Sequence, residues 1–140
     1  MSTVLHQFTD AHAGAAEVTR ILRTGGSWLI RGFLRDRSEI GYLAWFPGAE
    51  RVTGAFPSSV EVVQLASDVG LVFLGAREVP SERNATLGDA AAWVRSMRSA
   101  DTVLCALTDN EVAVGVDRLE ANAAAPCPPN RLSLVAFRLA

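Results

Sequence analysis

The sequence contains no lysine: all thirteen of its basic residues are arginine, set against fifteen acidic residues, for a formal net charge of −2. Proteins that grip a phosphate backbone carry a clear basic excess, so no nucleic-acid partner is expected. The arginine-only, alanine-rich composition fits codon usage in a GC-rich genome. Long apolar runs are missing too. No stretch approaches the roughly 20 residues that span a bilayer, so no membrane partner is expected. Residues 1–10 lack a basic flank and an apolar core, which argues against a signal peptide. Soft metal ligands are scarce: His6, His12, Cys105 and Cys127 are all there are, and their spacing matches neither CxxC nor a zinc pattern. No metal site is expected, and two reduced cysteines in a cytoplasmic protein are. Asp10, Asp36 and Glu39 form no recognisable carboxylate pair, and Ser58 and Ser59 read as helix caps rather than nucleophiles. No nucleophile–base–acid set stands out.

What is present is an ordinary globular composition, 49% hydrophobic and 20% charged over 140 residues. That length predicts a single domain, 1–140, able to bury about two-thirds of its unfolded surface. Thr9 or Asp10 can cap a helix running to about Arg23, with Ala11, Ala15, Val18 and Leu22 on one apolar stripe. Gly25 stands where a left-handed carboxy-terminal cap belongs. Residues 27–33 (SWLIRGF) read as a short strand covered on both faces, because Trp28, Leu29 and Ile30 are consecutive and apolar. Residues 34–57 show no clean period and are expected to be irregular.

Ser58 with Glu61 predicts a capping box that opens a helix on Val62, Leu65, Ala66 and Val69, ended by Gly70. Residues 71–79 (LVFLGAREV) form the next strand, stopped by Pro80. Thr86 with Asp89 opens a helix carrying Trp93, Val94 and Met97. Thr108 with Glu111 opens another carrying Val112, Val116, Leu119 and Ala123, and residues 102–107 between them are expected to continue helically. The prolines at 126, 128 and 129 break the chain before a closing strand at 131–139 (RLSLVAFRL). Strands alternating with helices predict an α/β sheet.

Several segments resemble the carboxy-terminal half of class I S-adenosylmethionine-dependent methyltransferases. Residues 4–10 (VLHQFTD) are similar to the stretch after the family's fourth strand, and residues 17–31 (EVTRILRTGGSWLIR) to its late motif. That motif is a helix ending in basic residues, a Pro-Gly-Gly turn and a fifth strand; Thr24 stands in place of the proline. Phe46-Pro47-Gly48-Ala49, then Phe56-Pro57-Ser58 leading to Gly70-Leu71, are similar to the approach to the sixth strand. Leu134-Val135-Ala136-Phe137-Arg138 is similar to the seventh. The resemblance implies a truncated Rossmann-like sheet of about three strands, the last antiparallel between the other two, with helices on its faces.

In that family the methyl donor sits on a glycine-rich turn, where a backbone approaches the ligand with no side chain between. This sequence has no G-x-G, and no strand precedes its first helix. The donor-binding half is therefore expected to be absent. Met1 falls about where the fourth strand should end, so a misplaced start codon, a split gene or a decayed gene is expected. S-adenosylmethionine is the family's cofactor, and this chain alone is not expected to bind it.

The resemblance places His6 at the rim of the donor and substrate site; by itself it reads as an exposed histidine before a helix. His12 reads as helix surface. Arg31 and Arg35 follow the first strand at its carboxyl end, where α/β sheets put ligand contacts, and either can clamp an acidic substrate or stay solvated. Tyr42, Trp45 and Phe46 fit an apolar substrate wall or a cover for the core. The edge at residues 27–33 is expected to pair with a separately encoded amino-terminal half or with a second copy. Two functions follow: a part-methyltransferase that supplies substrate wall and site rim but is inactive alone, or a stand-alone, non-catalytic interaction module derived from one.

Overall fold

The computed structural model describes residues 7–140. Its elements are helix α1 (Ala11–Ile21), strand β1 (Ser27–Gly32), a 3-10 turn (Leu43–Trp45), α2 (Ala49–Gly54), α3 (Ser59–Asp68), β2 (Leu71–Ser81), α4 (Leu87–Met97), α5 (Thr102–Cys105), α6 (Asp109–Glu120) and β3 (Asn130–Leu139). The chain divides into two compact units. One takes residues up to 38, then 56–79 and 132–140; the other takes 39–55 and 80–131.

The first unit holds the sheet. Asp10 caps α1 by accepting the Ala13 amide at 2.9 Å, which satisfies a donor that a helix start leaves open. The apolar stripe lands as its period requires: Ala15 is buried, and Ala11, Val18 and Leu22 pack on the same core. After the helix the chain turns at Gly25, whose φ of 74° suits a residue without a Cβ. The Gly25 amide donates to the Leu139 carbonyl and the Leu139 amide to the Gly26 carbonyl, both at 2.9 Å. The Gly-Gly turn is thus tied to the end of the closing strand.

β1 pairs antiparallel with β3, Trp28 opposite Phe137 and Ile30 opposite Val135. The sheet order is β1-β3-β2, so the last strand lies between the other two in an open antiparallel sheet, as expected. Trp28, Ile30, Val135 and Phe137 face α1 and the Val62, Leu65 and Ala66 side of α3 in one core. Ser58 and Glu61 form the anticipated capping box, and Gly70, at φ 84°, separates α3 from β2.

Two expectations need correction here. β1 is not covered on both faces: its burial alternates, and Leu29 is 50% exposed. The period-2 pleat sends Leu29 to the side opposite Trp28 and Ile30, so an unbroken apolar run did not mean two covered faces. Nor does Pro80 stop β2, which continues to Ser81. β2 ends the described sheet order, and an outer strand tolerates a residue with no amide to donate.

The second unit is helical. Thr86 with Asp89 and Thr108 with Glu111 form capping boxes on α4 and α6, and Asp101 caps α5 through the Val103 and Leu104 amides. α4 buries Leu87, Ala90, Ala91 and Val94, while α6 buries Gly115, Val116 and Leu119. Ala123 is exposed, because α6 stops at Glu120. Residues 34–57 are not wholly irregular either, since they contain the 3-10 turn and α2. Each is shorter than two helical turns, too brief to show a period. Gly115 lets the Phe46 ring lie against α6, for a Cβ there would come within 2.2 Å of it.

Candidate functional site

The carboxyl end of β1 runs into a polar loop that meets the start of α3. Within the loop the Leu34 amide donates to the Ser38 hydroxyl at 2.9 Å, and Ser38 Oγ lies 3.1 Å from Ser133 Oγ on β3, all of it buried. Two adjacent loop residues then grip the helix start. Arg35 forms a bidentate pair with Glu61, at 2.8 and 2.9 Å, and also donates to the Phe56 carbonyl at 2.7 Å. Asp36 accepts the Ser59 amide at 2.7 Å and the Ser59 hydroxyl as well. Ser58 is the true N-cap, while Ser59 serves Asp36.

The electrostatics follow from these bonds. The Arg35 guanidinium and the Ser58 amide hold the Glu61 carboxyl down at about 2. Arg35 is raised by the same pairing. Burial pushes Asp36 up, but the bonds from the Ser59 side chain and backbone outweigh it and leave Asp36 below its ordinary value. These anions also sit at the positive end of the α3 dipole, where negative charge is favoured.

Beside the network lies a groove of about 320 Å³ with an apolar wall of Val60, Val63 and Phe73 and a polar margin of Arg37, Ser59 and Gln64. Such a groove can hold and orient an apolar group with a polar end. The Ser59 hydroxyl at its margin is tied, with the Ser59 amide, to the Asp36 carboxylate as part of the helix-start contact, and His12 is exposed, its Nε2 4.0 Å from Asp68. No group of three metal-ligating side chains occurs among the described residues.

The sequence-predicted residues are distributed as follows. His6 lies outside the described residues. Arg31 stands on β1 opposite Leu134, on the face away from the core. Arg35 is engaged with Glu61 and the Phe56 carbonyl. Phe46 belongs to the second unit, buried beside Tyr42 with ring centroids 5.8 Å apart. There Tyr42 also packs on Trp93, which carries the Arg83 guanidinium 4.8 Å from its ring. Burial, then the nearby Asp101, raises the Tyr42 hydroxyl well above its usual range. Asp36, Arg37 and Ser133 had no sequence signal as site residues, because their partners lie 23 and 95 positions away along the chain for Asp36 and Ser133.

A glycine cradle for a nucleotide-like donor needs a strand that passes through glycine into a helix start. None of the described strands does so: β1 leads into the loop at Phe33, and the link from β2 to α4 has no glycine. Gly48, at φ 81° before α2, follows a 3-10 turn, and a Cβ there would strike the Glu111 carboxylate. Among the described residues no such glycine cradle for S-adenosylmethionine is formed.

No family model matches the chain, and no curated protein does. Solved structures do match in three dimensions. One is a protein assigned as a sarcosine dimethylglycine methyltransferase from Galdieria sulphuraria, at 15% identity and a TM-score of 0.48, covering 98% of this chain and 50% of that one. Another is phosphoethanolamine N-methyltransferase 2 of Haemonchus contortus, in complex with phosphomonomethylethanolamine and S-adenosylhomocysteine, at 13% identity and a TM-score of 0.45, covering 99% of this chain and 32% of that one. The chain therefore spans half the length of the first and about a third of the second.

Proposed function

We propose that this chain is the carboxy-terminal part of a class I S-adenosylmethionine-dependent methyltransferase, supplying substrate wall and site rim and inactive by itself. The observation that carries the reading is the sheet order β1-β3-β2, with the closing strand antiparallel to β1 and bonded at its end to the Gly-Gly turn. That is the order implied by the late motif at 17–31 together with the closing strand. Methyl transfer needs two reactants held in line, and the protein's part is chiefly positioning. In this reading His6 belongs to the donor-site rim, and Arg31 and Arg35 to the substrate side, while Phe46 is taken up by the core of the second unit. The edge at residues 27–33 pairs with an amino-terminal half, which brings the donor cradle, or with a second copy, which leaves the cradle missing.

The test is calorimetric titration with S-adenosylhomocysteine. The chain alone should give no binding heat. Co-expression with the product of an in-frame upstream stretch encoding a G-x-G strand-turn-helix should restore binding. Micromolar binding by the chain alone overturns its inactivity. Absence of any upstream or neighbouring half-gene overturns the enzyme-part reading and leaves a non-catalytic interaction module.

A further inference from the structure

We infer that the open face of the sheet is a docking surface for an amphipathic helix with acidic flanks, supplied by another protein. This rests on the face itself, and it gives Arg31 to the docked helix in place of the substrate-side role proposed above. Residues directly opposite in an antiparallel pair share a face. Arg31 and Leu134 therefore lie together on the side away from the core, with Ala136 and Arg138 following at period 2 along β3. On β2, Leu74 and Arg77 line a shallow groove of about 270 Å³ with Leu134 and Ala136. The result is an apolar strip with arginine on both sides of it, and Leu74 is 49% exposed.

The dimensions suit one helix. Three strands spaced at about 4.8 Å are roughly 10 Å across, close to the diameter of a single α-helix. The charge selects its chemistry. Arg31, Arg77 and Arg138 pair with no carboxylate among the described residues. No carboxylate lines the groove. A helix with leucine-type side chains on one stripe and glutamate or aspartate on its flanks would fill the strip and meet all three cations. A second copy of the same face would set arginine against arginine, which disfavours that pairing. No aromatic side chain lines the groove, so the face lacks the usual anchor for a lipid interface.

The experiment titrates the full chain into two fluorescent synthetic helical peptides that share a leucine stripe, one flanked by glutamate and one by lysine. The glutamate peptide should bind saturably and at least about tenfold tighter than the lysine peptide, a difference typical of steering by rim charge. Leu134→Glu should abolish binding. The Arg31→Gln/Arg138→Gln pair should weaken it about tenfold while far-ultraviolet dichroism stays unchanged. If that pair does not fold, raising salt to about 0.5 M with the unaltered chain reads the same term, since screening then acts within a few Å. Equal binding of the two peptides, or binding of neither, overturns the proposal. So does dimerisation abolished by Leu134→Glu, or sedimentation with phosphatidylserine vesicles in the absence of peptide binding.

Discussion

The two faces of the sheet are made from the same strands and differ in almost everything else. On one side Trp28, Ile30, Val135 and Phe137 are buried among helix side chains. On the other Leu29 is half exposed, and Leu134 and Ala136 are only partly covered. Both sides carry apolar side chains, the open one with Arg31, Arg77 and Arg138 at its margins. What separates them is that α1 and α3 put their stripes against one face, so apolar character says that a face is stable when covered, not that anything covers it.

The largest test of that contrast is Phe137→Ala. Phe137 is fully buried in the middle strand, with the Trp28 and Phe73 rings 6.0 and 5.9 Å away. Removing the ring should cost about 3–5 kcal/mol in urea unfolding, through lost transfer energy and a cavity that packed neighbours cannot close. Ser38→Ala comes next. It removes the acceptor of the buried Leu34 amide and the neighbour of the Ser133 hydroxyl, and should cost about 1–3 kcal/mol. A loss below about 0.5 kcal/mol would mean that water reaches this pair. Leu74→Ser, on the open face, should change stability by no more than about 0.5 kcal/mol. A cost like that of Phe137→Ala would show the open face to be closed in solution and would remove the basis for a docking surface.

How far the sequence discloses this structure depends on the reach of each signal. The capping boxes at Ser58, Thr86 and Thr108 are local, four residues long, and each opens a helix where expected. The central position of β3 is a long-range property, legible only through a family resemblance. The exposure of Leu29 is not legible locally, because three consecutive apolar residues fit a strand covered on both faces as well as one covered on one. The short α2 carries too few residues for a period. The site was legible in part. Glu61 is visible as a cap, but its bond to Arg35 spans 26 positions and appears only once β1 and α3 are side by side.

That bond gives the smallest and most specific prediction. The folded chain holds Glu61 at about 2, below an ordinary carboxylate near 4.5, through Arg35 first and the Ser58 amide second. A depressed carboxylate favours the folded state while it is ionised in both states, that is, above its unfolded value. The contribution must therefore be complete above about pH 4.5 and disappear as pH falls towards 2. Both partners are exposed to solvent, so the effect should be modest and reduced by salt. Thermal midpoints measured across this window should fall less steeply for Glu61→Gln than for the unaltered chain, with the two curves converging at the acid end. Parallel curves would mean that the Arg35–Glu61 pair does not persist in solution. In that case Arg35 would be released from the helix start, and its reading as a substrate clamp would gain ground.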